Sequence, residues 1–118
     1  MTLQNKLRQL GEAFAELTDY CYHYWRPVKT TPCIIWAESG EADSFHADNH
    51  KTEQNITGTV DVFTKTEFDG LLDSVQTALD GLGAAWYLSS VQYEDDTQLI
   101  HYEWTWEIAT EVEDDGEG

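Results

Sequence analysis

The stretch Ile56–Leu82, with the sequence ITGTVDVFTKTEFDGLLDSVQTALDGL, carries the clearest structural pattern in the chain. In its first part every second residue is apolar or glycine, and this period of two predicts a β-strand with two unlike faces. In its second part apolar residues recur every three or four positions, which predicts an amphipathic helix. The helical series is Phe68, Leu71, Leu72, Val75, Leu79 and Leu82. Thr64–Glu67 or Thr66–Asp69 would cap the helix start, and Gly81 or Gly83 would end it. We therefore predict a central strand followed closely by a helix.

The same two periods predict the other elements. A first helix is expected at Leu3–Leu17, and the polar segment Ser39–Gln54 is expected to be one long loop. The two strands that flank the acidic turn at Glu94 should pair as an antiparallel hairpin. The further strands are expected at Asp19–Trp25, Cys33–Ala37, Ala84–Tyr93 and Ile100–Ile108. The predicted fold is α+β, in the order α-β-β-β-α-β-β, with a mostly antiparallel sheet and two helices packed on one face.

The length of 118 residues suits one domain, which we place at residues 1–110. The last segment, Glu111–Gly118, has the sequence EVEDDGEG and almost nothing to bury. It is therefore predicted to be a disordered acidic tail.

The net charge of −17 is unevenly distributed along the chain. Lys65 is the last basic residue, and 14 acidic residues follow it. Direct binding to nucleic-acid phosphates is improbable, because such binding depends on Lys and Arg displacing counterions. Three possibilities remain open: a site for basic partners, a surface that mimics DNA, and a surface that repels DNA.

The chain has no run of about 18 apolar residues that would indicate a membrane span. Its N-terminus is amphipathic and lacks the pattern of a signal peptide, so we expect it to act in a cytoplasm. Cys21 and Cys33 do not have the spacing of a metal or redox motif, and we expect them to be reduced.

His46, Asp48 and His50 have metal-ligand chemistry and would share a face in an extended segment, but Asp-Asn is also ordinary turn chemistry. Cys21 and His23 lie at alternate positions of one predicted strand, a pattern that indicates packing more often than a nucleophile and its base. No nucleophile, phosphate-binding or zinc motif is present. We predict no enzyme activity, no metal and no cofactor.

Three segments, in one order, resemble the tail-completion or tail-terminator proteins of long-tailed bacteriophages, a group of small α+β head–tail joining proteins. They are the loop Ser44–Asn49 (SFHADN), the strand end Val60–Lys65 (VDVFTK), and the turn Tyr93–Asp95 followed by His101 and Tyr102. The resemblance spans about Pro32 to Ile108. It implies a non-enzymatic virion protein, assembled in the host cytoplasm, that forms a ring, often a hexamer, on the head-proximal end of the tail tube. Its partners would be other copies of itself, the tail tube protein and the head connector or head-completion protein.

Two sets of residues are expected to make these contacts. The first is a docking loop, formed by Phe45, His46, Asp48, Asn49, His50 and Lys51. The second is a set of interface aromatic residues, Tyr22, Tyr24, Trp36, Trp104 and Trp106, because Trp and Tyr are favoured at interfaces. An acidic lumen would suit a DNA conduit, since a basic one would hold phosphates. The alternative is a small acidic inhibitor or DNA mimic that occupies a basic nucleic-acid-binding groove.

Overall fold

A computed structural model describes residues 1–27, 30–42 and 52–112 of the chain. In these residues the chain forms two helices and five strands in the predicted order. The elements are α1 (Leu3–Ala15), β1 (Cys21–His23), β2 (Cys33–Ala42), β3 (Glu53–Thr64), α2 (Leu71–Gly81), β4 (Ala85–Glu94) and β5 (Leu99–Glu111).

The five strands form one sheet in the order β1-β2-β3-β5-β4. All neighbouring strands are antiparallel except β1, which runs parallel to β2. β3 lies in the middle and pairs with β5 along its whole length, from Glu53 opposite Glu111 to Thr64 opposite Ile100. The predictions of a central strand at β3 and of an antiparallel pair β4–β5 are both confirmed.

Both helices pack on the same face of the sheet, which we call the helix face. The alternation in β3 and β5 places Val60, Trp104 and Trp106 on this face, each at most 1% exposed. α1 adds Leu10 and Phe14 to the core, and α2 adds a stripe of three buried residues, Leu71, Val75 and Leu79. The predicted α+β fold is confirmed. The opposite face of the sheet, which we call the open face, has no helix on it within the described residues.

Two glycines allow close packing against tryptophan rings. A Cβ on Gly58 would overlap both the Ala37 carbonyl oxygen and the Trp106 ring, so only glycine lets this ring cross β3. A Cβ on Gly11 would lie 2.7 Å from Cζ2 of Trp36. Glycine inside a helix costs about 1 kcal/mol relative to alanine, but Gly11 lets α1 approach the sheet closely.

α2 begins later than the sequence predicts, at Leu71 rather than near Phe68. Phe68 has a φ of 59° and is 88% exposed, so it lies outside both the helix and the core. The Asp69 carboxylate accepts hydrogen bonds from the Leu71 N–H (2.9 Å) and from the Thr64 hydroxyl (2.6 Å). This side chain therefore bridges the end of β3 and the start of α2. The predicted capping boxes, Thr64–Glu67 and Thr66–Asp69, do not include this pair of hydrogen bonds.

The predicted long loop Ser39–Gln54 is partly strand. β2 continues to Ala42 through an irregularity between Glu38 and Gly40, and β3 already begins at Glu53. β1 is shorter than predicted and ends at His23, because Tyr24 has a φ of 78°, which interrupts the extended backbone.

β5 extends to Glu111, one residue past the predicted domain boundary. The Glu111 N–H donates to the Met1 carbonyl, and the Val112 N–H donates to the Thr52 carbonyl. Glu111 and Val112, which the sequence predicts as the start of the disordered tail, are therefore bound to the end of the sheet by backbone hydrogen bonds. The other tail residues, 113–118, lie outside the described residues.

Candidate interaction surfaces

The predicted docking loop falls in residues 43–51, which lie outside the described residues. Its six residues, Phe45, His46, Asp48, Asn49, His50 and Lys51, therefore stay a sequence-based prediction. In the described ranges, no group of three or more His, Cys, Asp or Glu side chains converges as a metal site would require.

Three of the five aromatic residues predicted at an interface lie in the core instead. Trp36 is 7% exposed, Trp104 is 1% exposed and Trp106 is fully buried. The helices cover their face of the sheet, and the Trp104 indole N–H donates to Oε1 of Gln76 on α2. Of the other two residues, Tyr22 is half-buried and Tyr24 is exposed. Period-two alternation predicts which residues share a face, but not which face the helices cover.

An aromatic stack lies beside β1. The His23 ring stacks on Trp36 at 3.8 Å and on Tyr24 at 3.9 Å between ring centroids. The Glu38 carboxylate holds the central ring and one of the outer rings: its Oε1 lies 2.7 Å from His23 Nε2, and its Oε2 accepts a hydrogen bond from the Tyr24 hydroxyl. Partial burial acts to raise the pKa of Glu38, but the bonds from Tyr24 and His23 outweigh it and lower the pKa. Glu38 thus stays ionised and fixes Tyr24 at this end of the sheet.

Cys21, which shares β1 with His23, is a poor nucleophile. Burial, followed by the influence of Cys33, raises the pKa of the Cys21 thiol to about 11. The thiol is therefore protonated near neutral pH, whereas nucleophilic cysteines need a thiolate. The His23 imidazole is held by Glu38. Cys21 and His23 therefore pack the edge of the sheet and do not form a nucleophile and its base.

The open face carries a second polar cluster, on β3 and β5. His101 Nε2 lies 2.8 Å from Oδ1 of Asp61, and the His101 ring stacks on Phe63 at 4.2 Å. The guanidinium of Arg26 lies 4.9 Å from the centre of the Phe63 ring. Ser89, on β4, donates to the Glu103 carbonyl at 3.0 Å. The cluster joins three strands and the segment after β1.

Two groups of this cluster have shifted pKa values. The hydrogen bond with Asp61 raises the pKa of His101, although partial burial acts in the opposite direction. Partial burial and then repulsion by Asp61 raise the pKa of Glu103. Both groups therefore hold their protons more strongly than in the unfolded chain.

The exposed apolar side chains are concentrated at the two edges of the sheet. Among the described residues, nine large hydrophobic side chains are exposed. Four of them form what we call the β4 edge: Tyr87, Leu88, Val91 and Tyr93. Three more form what we call the β1 edge: Tyr20, Tyr24 and Trp25. Of these seven, only Tyr24 was predicted at an interface, because the strand order that defines an edge cannot be read from local periodicity.

The solvent side of the two helices forms an acidic groove. The groove has a volume of about 610 Å³, and Glu12, Glu16 and Asp73 contribute carboxylates to its lining. Small residues, Ala13, Ala78 and Gly81, also line it. Its charge is suited to a basic partner and unsuited to a nucleic acid.

No helix in the described part of the chain is long and apolar enough to cross a membrane.

No protein-family model matches the sequence, and no curated protein matches it either. The fold, however, is similar to that of a chain in a solved structure described as the virion of a native gene transfer agent particle. The likeness has a TM-score of 0.51 at 11% sequence identity, and it covers 94% of this chain and 96% of the other. At this identity the comparison shows a shared fold over nearly the full length of both chains.

Proposed function

We propose that this chain is a non-enzymatic structural protein of a phage-like virion. Its role is to cap the head-proximal end of the tail tube and to join the tube to the head connector. In this role the chain forms a ring of identical subunits, such as a hexamer, around an acidic channel for DNA. Its site of action is then the virion tail, assembled in the host cytoplasm.

The observation that carries this proposal is the full-length likeness of the fold to a chain of a gene transfer agent virion. Because a fold alone does not define a function, the sequence resemblance to tail-completion proteins gives independent support. Both observations point to the same kind of particle, a phage-like virion.

The charge distribution supports a DNA channel. The helix layer carries Glu12, Glu16 and Asp73 in its groove, and the open face carries Asp61 and Glu103. If the helix layer lines the channel, DNA would pass an acidic wall. Such a wall offers few cations to displace counterions, and DNA would not be held as it moves through.

We assign the docking contacts to the docking loop predicted from the sequence, with Phe45, His46, Asp48, Asn49, His50 and Lys51. Lys51 gives it one base in a strongly acidic chain, and Phe45 gives it an apolar anchor. In this proposal the loop contacts the tail tube protein or the head connector.

Electron microscopy of particles assembled without this protein tests the role. We expect tails of irregular length, or tails that do not attach to filled heads. Tails of normal length joined to heads would contradict the proposal. A variant with residues 43–51 replaced by a Gly/Ser linker separates the functions: it should still form a ring but fail to join.

The acidic groove favours one alternative, a DNA mimic that occupies a basic nucleic-acid-binding groove. Its carboxylates, with a net charge of −17, would compete with DNA for Lys and Arg. Inhibition of a nuclease or of a repressor–DNA complex by the purified protein would favour this alternative. Co-purification with the tail tube protein would favour the joining role.

A further inference from the structure

We propose that copies of this chain join head to tail by strand pairing, with the β4 edge of one copy against the β1 edge of the next. The subunit contact would then be an extension of the sheet itself. The closed ring rests on the proposed function. The pairing of the two edges rests on the strand order, the strand directions and the exposed side chains at the edges.

β4 offers an unusually open strand. It is ten residues long and lies at the end of the sheet, so its outer N–H and C=O groups have no strand partner in the described part of the chain. Its first nine residues, Ala85–Tyr93, contain no charged residue and no proline. Soluble proteins usually protect a long edge with such residues, and an edge without them is a template for pairing. Apart from Glu94 at its end, the irregularity between Leu88 and Ser90 is the only such protection that β4 shows among its described residues.

The β1 edge, at the other end of the sheet, also exposes apolar side chains. In the described part of the chain β1 is only three residues long, and it pairs with Ile34–Trp36 of the longer β2. The β1 edge also exposes its three aromatic residues, with Trp25 66% exposed. Seven of the nine exposed hydrophobic side chains thus lie at two different edges, four on one and three on the other. Two unlike edges fit a head-to-tail contact, which joins different surfaces of identical subunits.

The strand directions suit this pairing. β4 runs antiparallel to β5, β5 runs antiparallel to β3, and β3 runs antiparallel to β2, with β1 parallel to β2. β4 is therefore antiparallel to β1 and to β2. A neighbour placed side by side would continue the sheet with antiparallel pairs, whose hydrogen bonds are slightly more stable than parallel ones.

The lack of charge on β4 also favours this contact. From Ala85 to Tyr93 the strand carries no charged side chain, and the nearest acidic residues, Glu94, Asp95 and Asp96, lie at its end and in the turn that follows. The strand can therefore approach a second copy of this acidic chain without like-charge repulsion along most of its length.

Two variants, each with one altered edge, test the pairing. Val91→Glu places a charge on the β4 edge, where the native side chain is 53% exposed, and Trp25→Glu places one on the β1 edge. Phe68→Glu is the matched control, because Phe68 is 88% exposed but lies on neither edge. Tyr87→Glu repeats the β4 test at a second exposed position. Circular dichroism checks that each variant is folded.

Sedimentation velocity at high protein concentration, in about 0.5 M salt to screen the net charge, measures assembly. We expect the native protein and Phe68→Glu to form assemblies, and each edge variant alone to sediment as a 13.5 kDa monomer. Val91→Glu keeps its β1 edge and Trp25→Glu keeps its β4 edge. An equimolar mixture of the two should therefore form a one-to-one dimer that grows no further.

Three results would overturn the inference. They are a native protein that stays monomeric at every concentration, a Trp25→Glu variant that dimerises by itself through β4, and a mixture that stays monomeric. None of these three results tests whether tails assemble normally without this protein, which is the test of the proposed function. If the edges pair as expected but tails without the protein are normal, the proposed function fails and the pairing stands.

Discussion

Gly58 shows how one missing side chain positions the core. It occupies a helix-face position of β3, where the alternation would otherwise place an apolar side chain. The Trp106 ring fills that space from β5, and the two residues lie directly opposite each other. The sequence pattern marks Gly58 as part of the strand, but only the contact with Trp106 explains why no larger residue fits.

Gly58→Ala is therefore expected to destabilise the fold by about 1–3 kcal/mol, the usual cost of overpacking a core. Gly40→Ala is the matched control, since Gly40 lies on the neighbouring strand and a Cβ there would meet nothing within 4 Å. Urea denaturation gives both free energies of unfolding. Equal values for the two variants would show that the Trp106 ring moves aside without cost.

His101 gives the fold a pH dependence. Its pKa in the folded chain is raised above the ordinary value of 6.5, mainly through the bond with Asp61. A raised pKa means that the stabilisation is fully present below pH 6.5 and is lost as the pH rises through the folded-state pKa.

The melting temperature should accordingly fall as the pH rises from about 6 to 8, and His101→Gln should reduce this fall. Asp61→Asn should reduce it as well, because it removes the anionic partner. Thermal unfolding across the pH series measures the effect. If His101→Gln keeps the full pH dependence, the protonated His101–Asp61 pair is not its source.

At the scale of elements, the junction between β3 and α2 decides where the helix begins. Asp69 receives hydrogen bonds from both elements, and Thr64, its partner on β3, is fully buried. The stripe of apolar residues suggests an earlier start at Phe68. The positive φ of Phe68 and the bonds of Asp69 prevent that start.

Asp69→Ala is expected to cost about 1–2 kcal/mol, since it removes the acceptor of a helix-start N–H and the acceptor of the buried Thr64 hydroxyl. Asp69→Asn keeps an acceptor for the Leu71 N–H and should cost less. Both are measured by chemical denaturation. A loss equally large in Asp69→Asn would point to the carboxylate charge rather than to the hydrogen bonds.

At the scale of the whole molecule, the net charge of −17 opposes compaction and association alike. The folded chain brings acids of the helix groove, the open face and the β4–β5 turn together within one small domain. Salt should relieve this repulsion, because the screening length shortens to a few ångströms near 1 M.

We expect the melting temperature to rise by about 2–5 °C between low salt and 0.5 M NaCl, roughly 1 kcal/mol for a domain of this size. Choline chloride at equal ionic strength should give the same rise, which separates screening from specific ion binding. A melting temperature that is unchanged or lower in both salts would contradict a dominant role for repulsion.

The sequence by itself determined the elements, their order and the α+β class, because periods of two and 3.6 residues report which side chains share a face. It also determined the acidic character that disfavours nucleic-acid binding. Only the tertiary structure decided that Trp36, Trp104 and Trp106 are core and that the exposed aromatic residues lie at the β1 and β4 edges. The physical reason is that burial and edge position depend on strand order and on where the helices pack, and both are set by contacts between residues far apart in the chain.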